Sequence, residues 1–575
     1  MAVAAVVVGL AVTLTACGST GSGGRLLLAG DITPGETDSA SGASKATATD
    51  IWSVSPGDEP SDSDRIATGV LGPLPINTVN TDGTISRDAL GTIWNGHTLL
   101  SFQDAAAKSI AAVGRPGKTA TTLAESQRQL QTNVLRRGVY LTTEDRCDLA
   151  RTPTDVRKIG TGLCQISEDE RWVVSWPAQG GKLTIRDLRT GTVRTVDGTT
   201  AEAVVLGHGT SVLAVQAVDG GKSGVVIDAT TGKVTGRTDV YREIRPVPVT
   251  AESTGFTALV ATADGSGGGG ASATESPVQE TQLLWIDTSA SVRVIDRGLF
   301  MLPVHTDSTV TYVRMAGATA GSDSIRRWDS SNGSRRILLT GRVGAAAAGA
   351  DGIVATRDTE RGVELYRGGA DGLLDRVATL EVDTSQGSSV GRVVTLGDTA
   401  YLELAAGGTM ALARIDLTGD ASDVPVRGWT QLNLEGIDTD GTALVTGYRT
   451  ADDQQESIGV VTPASDRFVE RTRAGVTGVN LIREGVIYVT ERTGSGELRI
   501  RSVRAQGDLD RTTLYRGYQI AGSTWPTDNG GTISTMVSRV AVQQAQQPQA
   551  GAGGGGSTGG STGGSTGGGT AGGGS

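Results

Sequence analysis

The chain has 575 residues, a formal net charge of −11, 20 % charged and 4 % aromatic residues, and 84 glycines. That length exceeds one small core, the acidic balance excludes a phosphate-binding nucleic-acid protein, and the 37 % hydrophobic content excludes global disorder. Three His and three Cys leave no material for elaborate metal or haem centres. In chain order, the first sixteen residues are uncharged and built from Ala, Val, Leu, Gly and Thr around Met1, and Cys17 and a Gly/Ser/Thr run follow directly. The stretch is shorter than a membrane span and of the length of a signal-peptide apolar region.

The junction Leu14-Thr15-Ala16-Cys17 resembles the lipobox of bacterial lipoproteins. The resemblance implies cleavage before Cys17, a diacylglycerol thioether on Cys17, and tethering to the cell membrane on its extracytoplasmic face. No Lys or Arg precedes the apolar run, and the first charge is Arg25, so basic residues upstream of Met1 are expected. Among 51 basic residues seven are Lys, none beyond Lys233; with the heavy Ala and Gly usage this resembles the codon bias of a GC-rich, actinobacterial-type genome.

Residues 17–50, rich in Gly, Ser, Thr and Asp, read as a tether with Leu26-Leu27-Leu28 as the one ordered candidate. Beyond it lie short β patterns separated by turn residues, with a local helical possibility at Thr121–Leu135. Cys147 and Cys164, an even pair in an exported chain and outside any CxxC or Cys/His cluster, are expected to form a disulfide. A Gly/Ser insert covers Asp264–Ser276, and residues 543–575, with 15 Gly in the last 25, read as a disordered tail.

The strongest signal is an internal repeat. An apolar strand ends at an Asp, a polar turn follows, then a second strand, at Asp104, Asp187, Asp228, Asp287, Asp329 and Asp416. The separations are 83, 41, 59, 42 and 87, so the first and last are near twice 42 and the 59 is one unit plus the Gly/Ser insert. Weaker copies lie at Asp145 and near Tyr366, Thr462 and Val503. A period near 42 fits four strands, and Asp followed by Gly191, Gly232 or Gly333 supplies a turn acceptor and a positive φ. This resembles the β-propeller superfamily, above all bacterial WD40-like and pyrroloquinoline-quinone-type repeats with their D-x-x-T-G turn, which is complete at Asp187-Thr190-Gly191 and Asp228-Thr231-Gly232. The resemblance implies an all-β propeller of four-stranded blades over residues 51–542. Seven or eight blades are the default; about ten units are counted. The docking Trp of quinoprotein repeats is absent, so no cofactor is expected. Pairing of the IWSVS segment at Ile51 with the ISTMVSRVAV segment at Ile533 is expected to close the ring.

Catalytic motifs fail on context. Gly387-Ser388-Ser389-Val390-Gly391 has the form of a nucleophile elbow, but the last His is His305, upstream of it, so a blade-connecting loop is expected. The glycines at Gly265–Gly270 lack a βαβ setting. Asp438-Thr439-Asp440-Gly441 opens like a calcium loop but has Arg449 where the bidentate Glu belongs, and reads as a strand turn. His97, His208 and His305 stand singly, Glu168-Asp169-Glu170 and Asp452-Asp453 read as solvated loops, and Trp172, Trp176, Trp285 and Trp328 as core. The functional expectation is a lipid-anchored binding or assembly scaffold with a protein or glycan partner. The alternative is a propeller enzyme, either a quinoprotein-like oxidoreductase or an envelope-polymer hydrolase or lyase working through Asp and Glu; a sensor role is a third reading.

Overall fold

The computed structural model describes residues 24–538 apart from 80–84, 206–209, 248–253, 262–280, 317–321, 369–372, 38–43, 476–479, 524–531 and scattered stretches of one to three residues. Cys17, His208, the Gly/Ser insert and the 543–575 tail lie outside the described residues.

Among the described residues every element is a β-strand apart from one short 3-10 turn at Asp62–Asp64. Consecutive antiparallel strands group by fours, and the described residues hold eleven such blades. The first combines Leu26–Ala29, Thr49–Val54 and Arg65–Pro73 with Gln519–Ser523 from the far end of the chain. The others follow in chain order at 91–126, 131–161, 163–200, 200–241, 243–297, 299–341, 342–380, 388–429, 431–474 and 481–516. This is the β-propeller the repeat implied, close to the ten units legible in the sequence and above an ordinary seven or eight.

The period of two explains how flat blades become a ring. Alternate residues of one strand point to opposite faces, so an apolar strand feeds two cores. Val212 and Ala214 pack toward the fourth blade, whereas Leu213 and Val215, between them in sequence, pack toward the sixth. Tyr401 and Leu402 divide likewise between the tenth and eighth blades. Each blade therefore shares one buried cluster with the blade before it and another with the blade after it. The last cluster, Leu26, Leu28, Val54 and Ile520 with Tyr488, Ile500 and Tyr515, joins the eleventh blade to the first. The ring is closed.

Several expectations change here. Leu26–Ala29, placed in the 17–50 tether, is fully buried between Thr49–Val54 and Gln519–Ser523. Its run of four apolar residues suits a strand covered on both faces. Ring closure uses this strand. The Ile533 segment instead pairs elsewhere, as Thr532–Thr535 on Ser388–Leu396. Thr121–Leu135 contains no helix but the strands Lys118–Ser126 and Gln131–Leu135; its Thr-rich first half suits an edge strand. Gly387–Gly391 is not a loop throughout, since Ser388 begins a strand.

Three strands of unusual length, Val193–Val205, Val292–Thr306 and Arg335–Gly349, serve as the fourth strand of one blade and the first of the next. Each bends at a glycine of positive φ: Gly198 (+120°), Gly298 (+135°) and Gly341 (+130°). A long side chain on the second strand of the following blade locks each bend. Gln216 donates to the carbonyl of Asp197, Arg314 to that of Arg297, and Arg357 to that of Thr340, at 3.0, 3.0 and 3.1 Å. The same device thus recurs at three successive uses of one architecture.

Candidate functional site

The repeated Asp residues are turn formers. Asp187, Asp228, Asp287, Asp329 and Asp416 all end third strands, and each carboxylate accepts the backbone N–H two residues on. Asp104 does the same toward Ala106, but in the turn between second and third strands of its blade, which accounts for its displaced phase. In three of these turns the fifth residue, Gly191, Gly232 or Gly333, donates to the Asp carbonyl at φ near +70°. In the shorter turns Ala107 and Ala290 take that conformation despite a Cβ. The Thr230 hydroxyl, helped by the N–H groups of Thr231 and Thr230 and opposed by burial, holds the Asp228 carboxyl below the usual range.

Carboxylates inside the blades are held by arginines. Asp296 receives Tyr312 and Arg326 at 2.8 Å each and lies beside Arg314 and Arg335. Glu364 receives Arg357, Tyr366 and Arg376; burial works to raise its carboxyl, and these donors outweigh it. Glu491 is clamped by Arg499 and Arg501. Glu403 is different: burial raises its carboxyl even though Arg392 donates at 2.9 Å, and Glu435 adds repulsion. Glu456 is raised by burial too, with Glu435 again adding to the shift.

Two acidic segments do more than solvate a loop. Glu170 is 5 % exposed, sits at φ +54°, and accepts the Arg137 N–H from the preceding blade at 3.0 Å. Asp438, also buried, accepts from Thr439 in its own turn and from Glu484 and Gly485 of the next blade. The expected strand turn at Asp438–Gly441 is present and also couples two blades. Asp453 accepts from Arg449 and Thr450 in an exposed turn.

His97 opens a strand of the second blade, where its Nδ1 lies 2.9 Å from the Asn95 carbonyl and 3.4 Å from Arg115. His305 lies on a strand of the seventh blade, so the ring does not bring these two together. Cys147, on the third blade, and Cys164, on the fourth, have sulfurs in bonding contact and Cα atoms 6.4 Å apart, a separation usual for a disulfide. Gly160 lies against both sulfurs; a Cβ there would stand 2.7 Å from the Cys164 sulfur. Trp172, Trp176, Trp285 and Trp328 are core, as expected. Among the described residues no group of three or more His, Cys, Asp or Glu is arranged to hold a metal ion.

What the structure does bring together lies at blade seams. A cleft of ≈ 570 Å³ between the eighth and ninth blades is lined by Arg342, Asp358, Glu360, Asp383, Thr384 and Ser385 among others. There the Ser388 hydroxyl donates to Asp358, beside Arg342. A second cleft of ≈ 560 Å³, between the first two blades, carries Asp62, Arg65, Asp104 and Lys118 around Ile66 and Phe102. Neither was legible in the sequence: the second is assembled from residues of two blades, and the first from turns of the eighth blade and the connection that leaves it.

No protein-family model and no curated protein matches the chain. Solved structures of similar strand arrangement include the β-propeller domain of the Trilobed protease from Pyrococcus furiosus (11 % identity, 55 % of this chain and 93 % of that chain, TM-score 0.27). Others are TolB from Acinetobacter baumannii (12 %, 54 % and 81 %, TM-score 0.21) and an oligogalacturonate lyase in complex with manganese (10 %, 73 % and 98 %, TM-score 0.31).

Proposed function

We propose that this chain is a lipid-anchored extracytoplasmic protein, tethered to the membrane through Cys17, whose propeller is a binding and assembly scaffold for a protein or glycan. The observation that supports the scaffold is the employment of its acids. Asp296, Glu364 and Glu491 are each engaged by two or more donors of the blades, and the repeated Asp residues close turns. A carboxylate already clamped by guanidinium groups is a poor proton carrier, since its neutral form would leave those charges unpaired. Binding energy on such a ring is spread over loops and seams, with aromatic and Arg anchors dominating.

Anchoring is tested by export with a functional signal. The mature protein should enter the detergent phase with lipid on Cys17, and Cys17→Ala should release it or leave it unprocessed. An aqueous mature protein beginning elsewhere contradicts the anchor. The scaffold is tested by crosslinking in intact cells followed by identification of captured partners, with the His97, His208 and His305 triple replacement alongside. That variant should remain folded and keep its partners. A folded variant without cellular activity would replace the scaffold with an enzyme.

The enzyme reading, a hydrolase or lyase on envelope polymers, draws on Glu403 and Glu456, whose carboxyls are raised by burial and by the charge of Glu435. A raised carboxyl is the form a general acid needs. Loss of a measurable polymer-cleaving activity in Glu403→Gln would support it.

A further inference from the structure

At two places among the described residues the first-strand edge of a blade carries strands beyond its own four. In the third blade, Ile76–Val79 runs parallel to Gln131–Leu135 and turns back as Ile85–Asp88, an insertion anchored by the fold at both ends. At the seam of the eighth and ninth blades the addition is terminal. Thr532–Thr535 pairs antiparallel with the first strand of the ninth blade, Arg392 opposite Thr535 and Thr395 opposite Thr532. Val537–Ser538 then pairs with the first strand of the eighth, Ala346 opposite Val537 and Ala345 opposite Ser538. Met536 stands at the crossing: its N–H donates to the Gly391 carbonyl at 3.2 Å, and its buried side chain joins Ala345, Val390 and Val393.

The acceptor surface suits a backbone rather than a particular side chain. The eighth-blade strand reads Gly344-Ala345-Ala346-Ala347-Ala348-Gly349, small residues that allow close approach, and Gly391 lies at the opposite edge. The seated segment, Thr532 to Ser538, has no charge and no Pro. Its hold is slight: two short ladders of four and two paired residues and one apolar anchor. An added strand gains affinity from main-chain hydrogen bonds and specificity from the pocket at alternate side chains.

We propose that the seam of the eighth and ninth blades is a strand-accepting site for an extended, uncharged segment of a partner protein carrying a Met-like anchor, and that residues 532–538 occupy it in the isolated chain. The inference rests on the scaffold reading and assigns its partner class as protein rather than glycan. A tethered segment competes at millimolar effective concentration, so an external strand binds the intact chain weakly until the tail is displaced.

The test uses a labelled peptide of residues 531–539 and fluorescence anisotropy. A chain ending at Ser523, with folding checked by circular dichroism and a cooperative melt, should bind the peptide saturably, and the full chain at least tenfold more weakly. Peptides carrying Met536→Asp, which charges the anchor, or Ser534→Pro, which removes a ladder donor, should each bind at least tenfold more weakly. Should the shortened chain not fold, full-length Met536→Asp replaces it and should bind the unaltered peptide better than the native full chain does. No binding to a folded shortened chain or to the Met536→Asp chain, or equal binding of the altered peptides, overturns the proposal. Partners captured in cells without peptide binding would remove this site and keep the scaffold; peptide binding without captured protein partners would leave the seam to residues 532–538 alone and overturn the partner proposal together with the scaffold.

Discussion

At the residue scale, the repeated Asp works as an acceptor for turn N–H groups, and that role has an acid limb. Asp187, Asp228, Asp287 and Asp329 have carboxyls held below the ordinary range. A depressed folded value means stability that is fully present above the unfolded value of about 3.9 and lost as pH falls through the folded one. Glu403 and Glu456 have the opposite sign: their burial disfavours the charged form, so they cost stability as pH rises past an unfolded value near ~4.3. The urea midpoint should therefore be at least as high at about pH 5 as at about pH 7, and should fall below about pH 4. A midpoint that climbs steadily from about pH 4 to about pH 7 would contradict the Glu403 and Glu456 assignments, and one that does not fall below about pH 4 would contradict the Asp assignments. Asp228→Ala should cost about 1–2 kcal/mol at neutral pH by urea denaturation, because it leaves turn N–H groups without their acceptor.

The same turns predict a sign reversal. Ala107, exposed, holds φ +60° where the longer turns have glycine. The Cβ penalty there is roughly 1–2 kcal/mol, partly offset by the entropy that glycine loses on folding. Ala107→Gly should thus stabilise by a few tenths to about 1 kcal/mol, whereas Gly191→Ala, at φ +75°, should destabilise by about 1 kcal/mol. Two destabilising results would show that the Ala107 turn is held by something other than its own backbone.

At the scale of elements, the bends in the long strands are the sensitive points. A Cβ on Gly341 would stand 2.6 Å from the Arg357 side chain, at φ +130°. Displacing Arg357 would also disturb its bonds to the Thr340 carbonyl and to Glu364. Gly341→Ala should cost ~2–3 kcal/mol in a denaturant titration, clearly more than Gly333→Ala, whose added Cβ meets open space. Equal losses would mean that the bend is not locked. Cys147 and Cys164 join neighbouring blades, so non-reducing peptide mapping should find them linked, and replacing both should cost of order 2–4 kcal/mol. Two alkylatable thiols in the native exported protein would remove the bond.

Element scale is also where sequence reading succeeded and stopped. In the fourth to seventh and the ninth blades, Asp, polar turn and strand recur in phase because the hydrophobic alternation and turn chemistry are local signals. Asp104 carries the same signal in a different turn, which composition could not distinguish. Leu26-Leu27-Leu28 stood out as an ordered candidate but not as a blade strand, because polar residues surround it and its burial depends on Gln519–Ser523, nearly the whole chain away. Glu170 read as a loop acid and Asp438 as part of a strand turn alone, because their partners, Arg137 and Gly485, belong to adjacent blades. The interblade locks at Gln216, Arg314 and Arg357 had a usable trace: each lies 16 to 18 residues after a bend glycine, within the repeat period.

At the scale of the whole molecule, one repeated solution builds everything: a strand feeds two cores, each blade shares a core with both neighbours, and the two ends of the chain meet in the first blade. Removing a blade, for instance residues 198–238, should abolish cooperative unfolding, because the remaining faces no longer cover one another. The central claim is closure through Leu26–Ala29, and hydrogen exchange on the intact protein, followed by mass spectrometry, tests it most directly. The amides of Leu26–Ala29 and Gln519–Ser523 should exchange in the same slow class as Ser211–Val218 in the fifth blade. Exchange of the first two segments at the rates of an unstructured chain, with the fifth blade still protected, would contradict the closed ring.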